Sequence, residues 1–291
     1  MNQIPVTFFY NFDCISDCAR NHVMHEFAAN GAKHLVLTDA LILKMMADRN
    51  LAATLQKEMA QNGLTFMDSH APFGKYLDLN CPLPEARGEM IARHKLTLQM
   101  IASMGVKTIT IHTGNEPAFP EYPLETQFDC VKHSLDELLP LAEKLGIVIC
   151  IENIWFQINT PERLLAIKAA FPTDALGFCY DAGHANLMDN GRHCPDSNAF
   201  KAWGEVPPSF DDRILEKMLP YVVNCHLHDN NGINDQHRNI GHGNINWDHI
   251  AGLLKTAPAL QVIQSEVLPV TSNEPVREIC QAFARLFRQN P

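Results

Sequence analysis

Residues 221–246 read YVVNCHLHDNNGINDQHRNIGHGNIN and contain the pattern that decides the fold. A short apolar run at 221–223 leads into HLHD at 226–229, and a polar loop with Asp235, His237 and His242 follows. Imidazole and carboxylate groups at the end of a strand suit divalent ions such as zinc and manganese, and the lack of paired cysteines argues against a closed structural zinc site. Asn, Gly and Asp are also ordinary turn residues, so this stretch alone does not distinguish a metal site from a solvated loop.

The same order of apolar strand, polar residues and helix recurs along the chain. The predicted strands are continuous apolar runs, typical of strands covered on both faces. They lie at 6–10, 34–37, 64–67, 107–111, 147–151, 176–180, from 221 onward, and at 261–265. Helical patterns follow at 16–30, 40–61, 85–104, 124–145, from Thr160-Pro161, at 211–219, from 247, and at 274–288. Eight strands alternating with eight helices predict an α/β fold, a single-domain (β/α)8 TIM barrel over residues 1–291.

Composition sets limits on the class of protein and its partners. The chain of 291 residues is 46% hydrophobic and 19% charged, which is typical of a globular protein. Its net charge of -10 gives no bulk attraction to nucleic acid or to an anionic membrane, so we expect neither as a partner. The first residues lack a signal-peptide pattern, and nine cysteines without a Cys-x-x-Cys pair favour free thiols in a reducing compartment. We therefore expect a cytoplasmic protein.

Potential ligands or bases end six successive predicted strands, from the third to the eighth. They are His70, His112, Glu152, Asp181, His226 and Glu266. Active sites of β/α barrels form at the C-terminal ends of the strands, so the pattern predicts that these six side chains point into one mouth. Asp181 and His184 form an Asp-x-x-His pair beside them, and Asp235 and His237 form a second carboxylate and histidine pair.

Glu152 and Glu266 are the candidate catalytic residues. They follow strands five and eight, on opposite sides of the predicted barrel mouth. Two such carboxylates could bind one metal while each keeps an oxygen free as a proton acceptor. The alternative is a structural ion pair, but no Arg or Lys lies at the neighbouring strand ends.

Several motifs together resemble those of the xylose-isomerase-like β/α-barrel superfamily. They are HAPF at 70–73, IHTG at 111–114, IEN at 151–153, CYDAGHANL at 179–187 and HLHDNNGINDQHRNIGHGNINW at 226–247. The pattern is most similar to the sugar phosphate isomerase/epimerase group. That resemblance implies one divalent metal, Mn or Zn, on Glu152, Asp181, His226 and Glu266, with the two glutamates also moving protons. It implies substrate contacts from His184, and we assign the same role to His70, His112 and His237.

The zinc-dependent apurinic-site endonucleases belong to the same superfamily and bind three metals. Their ligand set also looks matched, by His70, His112, Glu152, Asp181, His184, His226, Asp235, His237 and Glu266. Two departures count against a nuclease. The first strand ends in Tyr10-Asn11-Phe12 instead of Gly-x-His, and the second ends in Leu37-Thr38-Asp39, without the basic and aromatic residues that a DNA-penetrating loop needs.

The function expected from the sequence is that of a metal-dependent isomerase or epimerase acting on a sugar, a sugar phosphate or a polyol-derived acid. Glu152 takes a carbon-bound proton and Glu266 returns it, or the reverse, through an enediolate that the metal stabilises. The alternatives are a multi-zinc phosphodiesterase and a non-catalytic metal-binding barrel subunit. If the substrate carries a phosphate, Lys75, Arg192 and Arg238 could bind it. The loops 73–84 and 190–208 could form a lid or a dimer contact. The sequence does not distinguish a monomer from a homo-oligomer.

Overall fold

The computed structural model describes residues 4–287, in which eight parallel strands close into a barrel. The strands follow one another in chain order around the barrel, and the last pairs with the first. They are β1 Val6–Phe8, β2 His34–Leu37, β3 Thr65–His70, β4 Thr108–Thr110, β5 Val148–Glu152, β6 Leu176–Asp181, β7 Val222–Leu227 and β8 Val262–Ser265. The predicted (β/α)8 TIM barrel is confirmed. That residues 1–291 form one domain stays a prediction.

Helices cover the outside of the barrel and bury the outward faces of the strands. Phe8 on β1 packs against Phe27 and Phe283, with ring centroids 5.7 and 5.8 Å away. The helices within 4–287 are α1 Asp17–Ala29, α2 Asp39–Ala47, α3 Leu51–Gln61, α4 Pro84–Ser103, α5 Leu124–Leu145, α6 Pro161–Ala170, α7 Ala182–Asp189, α8 Asn198–Trp203, α9 Ile214–Met218, α10 Trp247–Leu254, α11 Pro269–Ser272 and α12 Val276–Leu286.

The single helix predicted over 40–61 is wrong, because α2 and α3 are separate. The backbone of Asp48 is extended, with φ -128° and ψ 105°, and its side chain accepts the Asn50 N–H at 2.9 Å. This local hydrogen bond competes with the helical pattern, as is common for Asp. The predicted last helix reached residue 288, which lies outside the described residues.

Two stretches outside the predicted helices contain helices. The stretch 190–208 includes α8, whose Trp203 donates its indole N–H to the Trp155 carbonyl at 2.9 Å. The segment after Asp181 is α7, and the Asp181 carboxylate caps it by accepting the His184 N–H at 2.6 Å. Asp is a favoured N-cap residue. The strand end thus also begins a helix, which fixes the direction of the Asp181 side chain.

The interior of the barrel contains a polar layer beneath the mouth. Asn224 on β7 donates to Asp68 on β3 and to Thr110 on β4, strands that are not its neighbours in the sheet. The three side chains therefore meet across the interior, and all are fully buried. Branched apolar residues usually dominate this position in β/α barrels. No helix within residues 4–287 is both long and apolar enough to cross a membrane.

Candidate metal centre

The predicted strand-end residues meet at one end of the barrel. His70, Glu152 and Asp181 are the last residues of β3, β5 and β6, while His226 lies near the end of β7. Strand register places Asp181 directly beside His226. The mouth encloses a cavity of about 550 Å³, and Glu152 is among its lining residues. The lining also includes His70, His112, His184, Asp235, His237 and Glu266.

Four of these residues form the central group of the site: Glu152, Asp181, His226 and Glu266. Their ligand atoms all lie within 4.8 Å of one another. His226 Nδ1 is 2.9 Å from Glu152 Oε1, 3.2 Å from Glu266 Oε1 and 4.0 Å from Asp181 Oδ2. One imidazole nitrogen and three carboxylates from four strand ends are a donor set that suits a divalent first-row ion.

Protonation of this group depends on the mutual contacts of its members. Burial alone lowers the pKa of His226, but the neighbouring Cys179, Glu266 and Glu152 raise it well above its usual value. Burial is the largest influence and raises the pKa of both glutamates. The charge and hydrogen bonding of His226 act together with the other histidines of the site to outweigh it, and they hold both pKa values well below the usual range. A cation and a proton compete for His226 Nδ1, so we expect cation binding to release a proton.

Buried polar atoms without a partner test whether a cation fits. Glu152 Oε2, His184 Nδ1, His228 Nδ1 and Asp235 Oδ1 are buried and make no hydrogen bond among the described residues. His112 Nε2 lies 3.2 Å from Glu152 Oε2, but this contact does not have hydrogen-bond geometry. Buried polar groups in native proteins are nearly always satisfied. All four orphan atoms belong to residues of the candidate ligand groups, so they fit residues that hold a metal.

Four further groups of three ligand atoms overlap or flank the central one among the described residues. His70, His112 and Glu152 form the first. His70 Nδ1 lies 2.8 Å from the Ala71 carbonyl, which accepts its hydrogen and leaves Nε2 with a lone pair. His237 and Asp235 form another group with His228. His237 Nε2 lies 2.9 Å from Asp235 Oδ2, and its Nδ1 lies 2.9 Å from the Glu266 carbonyl.

The pair Asp181 and His184 at the start of α7 forms a separate group, also with His228. His184 Nδ1 is 3.6 Å from Asp181 Oδ1, and His184 Nε2 is 3.4 Å from Asp235 Oδ2. Burial lowers the pKa of His184, but the carboxylates of Asp181 and Asp235 raise it to about 10. All nine residues proposed for a multi-metal site are therefore close together. Their roles as ligands stay predictions.

Comparison with known proteins agrees with this geometry. The family model described as a xylose isomerase-like TIM barrel matches residues 25–282. The chain belongs to this family. Protein MJ1311 of Methanocaldococcus jannaschii is 28% identical to the chain over 231 residues, which is 76% of this chain and 70% of that protein.

Solved structures of similar fold include an epimerase-like protein and two proteins studied with zinc. A D-tagatose 3-epimerase-like protein has a TM-score of 0.73 at 20% identity, covering 96% of this chain and 95% of its own. The IolI protein with a bound zinc atom has a TM-score of 0.70 at 16% identity, covering 97% and 96%. The TTHB071 protein of Thermus thermophilus, soaked with ZnCl2, has a TM-score of 0.64 at 23% identity, covering 98% of both chains. At these identities the similarity shows the fold.

His228 belongs to the site of this xylose isomerase-like barrel, although the sequence analysis gave it no role. Its Nε2 lies 3.2 Å from Asp181 Oδ2, and its ring stacks on His237 at 3.9 Å between centroids. Side chains two residues apart on a strand point to the same side, so the position of His228 two residues after His226 predicts that both face the site. Gly183 makes room for the ring, since a Cβ at that position would collide with His228 Cε1.

His242 and the three basic loop residues considered for phosphate binding lie outside the site. His242 pairs with Glu274 at 2.7 Å, and its side chain is 42% exposed. Arg192 bonds to Asp189, and neither it, Lys75 nor Arg238 lines the cavity. The three basic residues considered for phosphate binding therefore do not reach the mouth of this family member.

The cavity wall of the barrel is aromatic and acidic. Trp155 packs edge-on against His184, with centroids 4.8 Å apart, and lies beside Phe156 at 5.5 Å. Both aromatic residues, in the loop after β5, were missed by the sequence analysis. Asp13 and Asp39 also line the cavity, and none of its lining residues is Lys or Arg.

Proposed function

We propose that the protein is a metal-dependent isomerase or epimerase that removes a carbon-bound proton next to the carbonyl of an uncharged sugar. An isomerase returns a proton to the adjacent carbon, and an epimerase returns one to the opposite face of the same carbon. The observation that carries the proposal is the placement of Glu152 and Glu266. They extend from β5 and β8, reach the same nitrogen of His226 within 2.9 and 3.2 Å, and both line the cavity. Structures described as D-tagatose 3-epimerase-like and as D-psicose 3-epimerase share the fold and support this choice of chemistry.

The central group would hold the cation, through Glu152, Asp181, His226 and Glu266. When bound, a divalent ion polarises the substrate carbonyl and so makes the neighbouring carbon-bound proton more acidic. Glu152 accepts that proton on one side of the substrate, using the oxygen that has no hydrogen-bond partner among the described residues. Glu266, on the other side of the mouth, starts protonated and gives its proton to the adjacent carbon in an isomerisation, or to the opposite face of the same carbon in an epimerisation. Proton exchange with solvent then restores both glutamates. The reverse assignment serves the opposite direction of reaction.

The flanking histidines would orient the substrate. His70, His112, His184 and His237 line the same cavity as the two glutamates. Their ring N–H groups can donate to substrate hydroxyls, and the face of Trp155 can pack on the apolar face of a sugar ring. A substrate held in one orientation presents one carbon-bound proton to Glu152, which limits the reaction to one pair of carbon atoms.

The charge of the wall supports a substrate without phosphate. Asp39 lies in the first turn of α2 and lines the cavity, so its carboxylate occupies the helix end where a phosphate would otherwise bind. Asp13 adds a second negative charge, and the lining residues include no cationic Lys or Arg. A phosphate dianion placed beside Asp13 and Asp39 would meet repulsion from them, whereas sugar hydroxyls can donate hydrogen bonds to both carboxylates.

The test is proton exchange on a panel of keto and aldo sugars in D2O, with zinc-loaded and manganese-loaded protein. We expect deuterium at the carbon next to the carbonyl of one sugar and a fall in kcat of about 10²–10⁴-fold for Glu152→Gln and Glu266→Gln. Glu205→Gln, an exposed glutamate outside the cavity, is the matched control. Full activity in either site variant would remove that glutamate from the mechanism, and no exchange on any sugar would refute the function.

A second candidate is a multi-zinc phosphodiesterase, favoured by the overlapping ligand groups around Glu152 and Asp181. Elemental analysis of His112→Ala and Asp181→Ala distinguishes the two candidates. About one ion per chain, lost with Asp181 but kept without His112, supports the isomerase. Two or three zinc ions, reduced by either substitution and accompanied by cleavage of abasic duplex DNA, would favour the phosphodiesterase. Metal binding without any turnover would indicate a non-catalytic barrel.

A further inference from the structure

We infer that Thr110, Asn224 and Asp68 act as positioning residues that determine which nitrogen of His226 faces the cation. The inference rests on the proposed metal site only in taking His226 as a ligand. It concerns a buried chain of hydrogen bonds beneath the mouth, on strands β3, β4 and β7, which contributes no atom to the cavity wall.

Each link of the chain is a direct contact. Thr110 Oγ1 lies 3.1 Å from His226 Nε2, the nitrogen opposite to the carboxylate cluster. Asn224 Nδ2 donates to Thr110 Oγ1 at 3.1 Å and to Asp68 Oδ2 at 3.1 Å. Thr108 donates its hydroxyl hydrogen to Asp68 Oδ1 at 2.6 Å, which holds the carboxylate in place. All of these groups are buried.

The order of donors and acceptors follows from the chemistry of the end group. An ionised carboxylate only accepts hydrogen bonds, so Asp68 turns the amide nitrogen of Asn224 toward itself. The second hydrogen on that nitrogen then points to Thr110, whose hydroxyl can accept from His226 Nε2 or donate to it. A cation on Nδ1 leaves the neutral ring with its hydrogen on Nε2, and for that ring form Thr110 Oγ1 is the acceptor, 3.1 Å away.

The contacts of His226 Nδ1 require this ring form for metal binding. Nδ1 faces Glu152, Glu266 and Asp181, so a cation in that cluster must replace any hydrogen on Nδ1. Cys179 is the other polar neighbour of the ring, with its sulfur in the same ligand-atom group as Glu152 and His226. A thiol is a weaker acceptor than a hydroxyl, so Thr110 is the stronger partner for Nε2.

A purely structural role is a poor account of this arrangement. Three buried polar side chains cost free energy in a barrel interior that apolar residues can fill. Hydrogen bonding offsets only part of this cost, because the Asn224 Oδ1 atom is buried without a partner among the described residues. The network ends on the ring that the site needs in one orientation. Outer hydrogen-bond partners of metal-binding histidines commonly fix the ring in this way.

The test compares Thr110→Val, which is nearly isosteric but has no hydroxyl, with Thr110→Ser, which keeps it. Zinc affinity is measured by competition with a chromogenic chelator, without any substrate. We expect Thr110→Val to weaken zinc binding by about 10–100-fold, and Thr110→Ser to restore it close to the original value. Thr97→Val is the control, because Thr97 is also buried and its hydroxyl makes no hydrogen bond among the described residues, far from the mouth on α4.

A spectroscopic readout separates positioning from stability. In zinc-loaded protein with 15N-labelled histidine, the signal absent from His226→Gln identifies the His226 Nε2–H. We expect its proton signal downfield in the original chain and in Thr110→Ser, and upfield in Thr110→Val because the acceptor is gone. Asn224→Leu serves as the second variant if Thr110→Val does not fold, and we expect the same direction of change in affinity.

The outcomes distinguish this inference from the proposed function. Equal zinc affinity and an unshifted Nε2–H signal in Thr110→Val would overturn the positioning role and leave the isomerase proposal intact. Failure to turn over any sugar would refute the proposed isomerase. The zinc affinities of the Thr110 variants would still decide the role of Thr110, because they are measured without substrate. A chain that binds no zinc would overturn both.

Discussion

Asp181 has two separable tasks, and two substitutions at this one position can divide them. One carboxylate oxygen accepts the His184 N–H at 2.6 Å and caps α7, while the other is 4.0 Å from His226 Nδ1 in the candidate metal group. Asp181→Asn keeps a cap oxygen and loses the charge. Asp181→Ala loses both. The difference between the two variants therefore isolates the cap, since the loss of charge is common to them.

We expect both variants to lose the metal and to differ in stability when a chelator is present. Loss of an N-cap costs about 1 kcal/mol, in a range of about 0.5–2 kcal/mol. For a chain of this size that corresponds to a fall in Tm of about 2–4 °C for Asp181→Ala relative to Asp181→Asn. The assays are thermal unfolding in the presence of a chelator and elemental analysis of protein purified without one.

Two results would refute this reasoning, each for one task. Equal Tm values for the two variants in chelator would show that the Asp181 cap does not stabilise α7. Undiminished metal content in Asp181→Asn would show that the carboxylate charge is not needed for binding. A lower Tm for Asp181→Asn than for Asp181→Ala would also contradict the cap, because Asn is among the favoured N-cap residues.

Three further predictions follow from the fold, the cavity wall and the metal. Gly183→Ala drives a Cβ into His228 Cε1 and should lower the free energy of unfolding by about 1–3 kcal/mol, whereas Gly252→Ala, with nothing within 4 Å on α10, should not. Denaturant unfolding of both variants checks this, and a stable Gly183→Ala would contradict the crowding. Trp155→Ala should raise KM for the preferred sugar about tenfold at little cost in kcat, as measured by steady-state kinetics. Removal of the metal with a chelator should lower Tm. Zinc or manganese added at about 100 times Kd should raise the free energy of unfolding by about 2.7 kcal/mol, and no change in Tm would show that the site binds no metal.

The barrel could be predicted because its signals are local. Apolar runs of strand length, helical periodicity between them and polar residues at the strand ends are each visible in a short window. The error at 40–61 has a local cause of another kind. The apolar pattern continues through the break, where the Asp48 backbone is extended and its carboxylate accepts the Asn50 N–H.

The convergence of the predicted ligands could also be inferred from the sequence, because each of them ends or follows a parallel strand. Trp155 and Phe156 could not, since the position of their loop depends on a distant contact. The Trp203 indole, on a helix within a stretch predicted as loop, holds the Trp155 carbonyl. The hydrogen bonds that join Asp68 to Thr110 through Asn224 could not be predicted from the sequence either. It depends on the register of three strands and on how they face one another across the interior.

The acidic wall of the cavity also bears on how fast the protein captures its metal. Asp13 and Asp39 line the approach to the central group, so a divalent cation is drawn in along a path of negative potential. Such attraction raises the association rate and is screened by salt, with a Debye length of about 8 Å at physiological ionic strength. Metal loading of the chelator-stripped protein should therefore slow as ionic strength rises, while the release rate, governed by the ligands themselves, changes little.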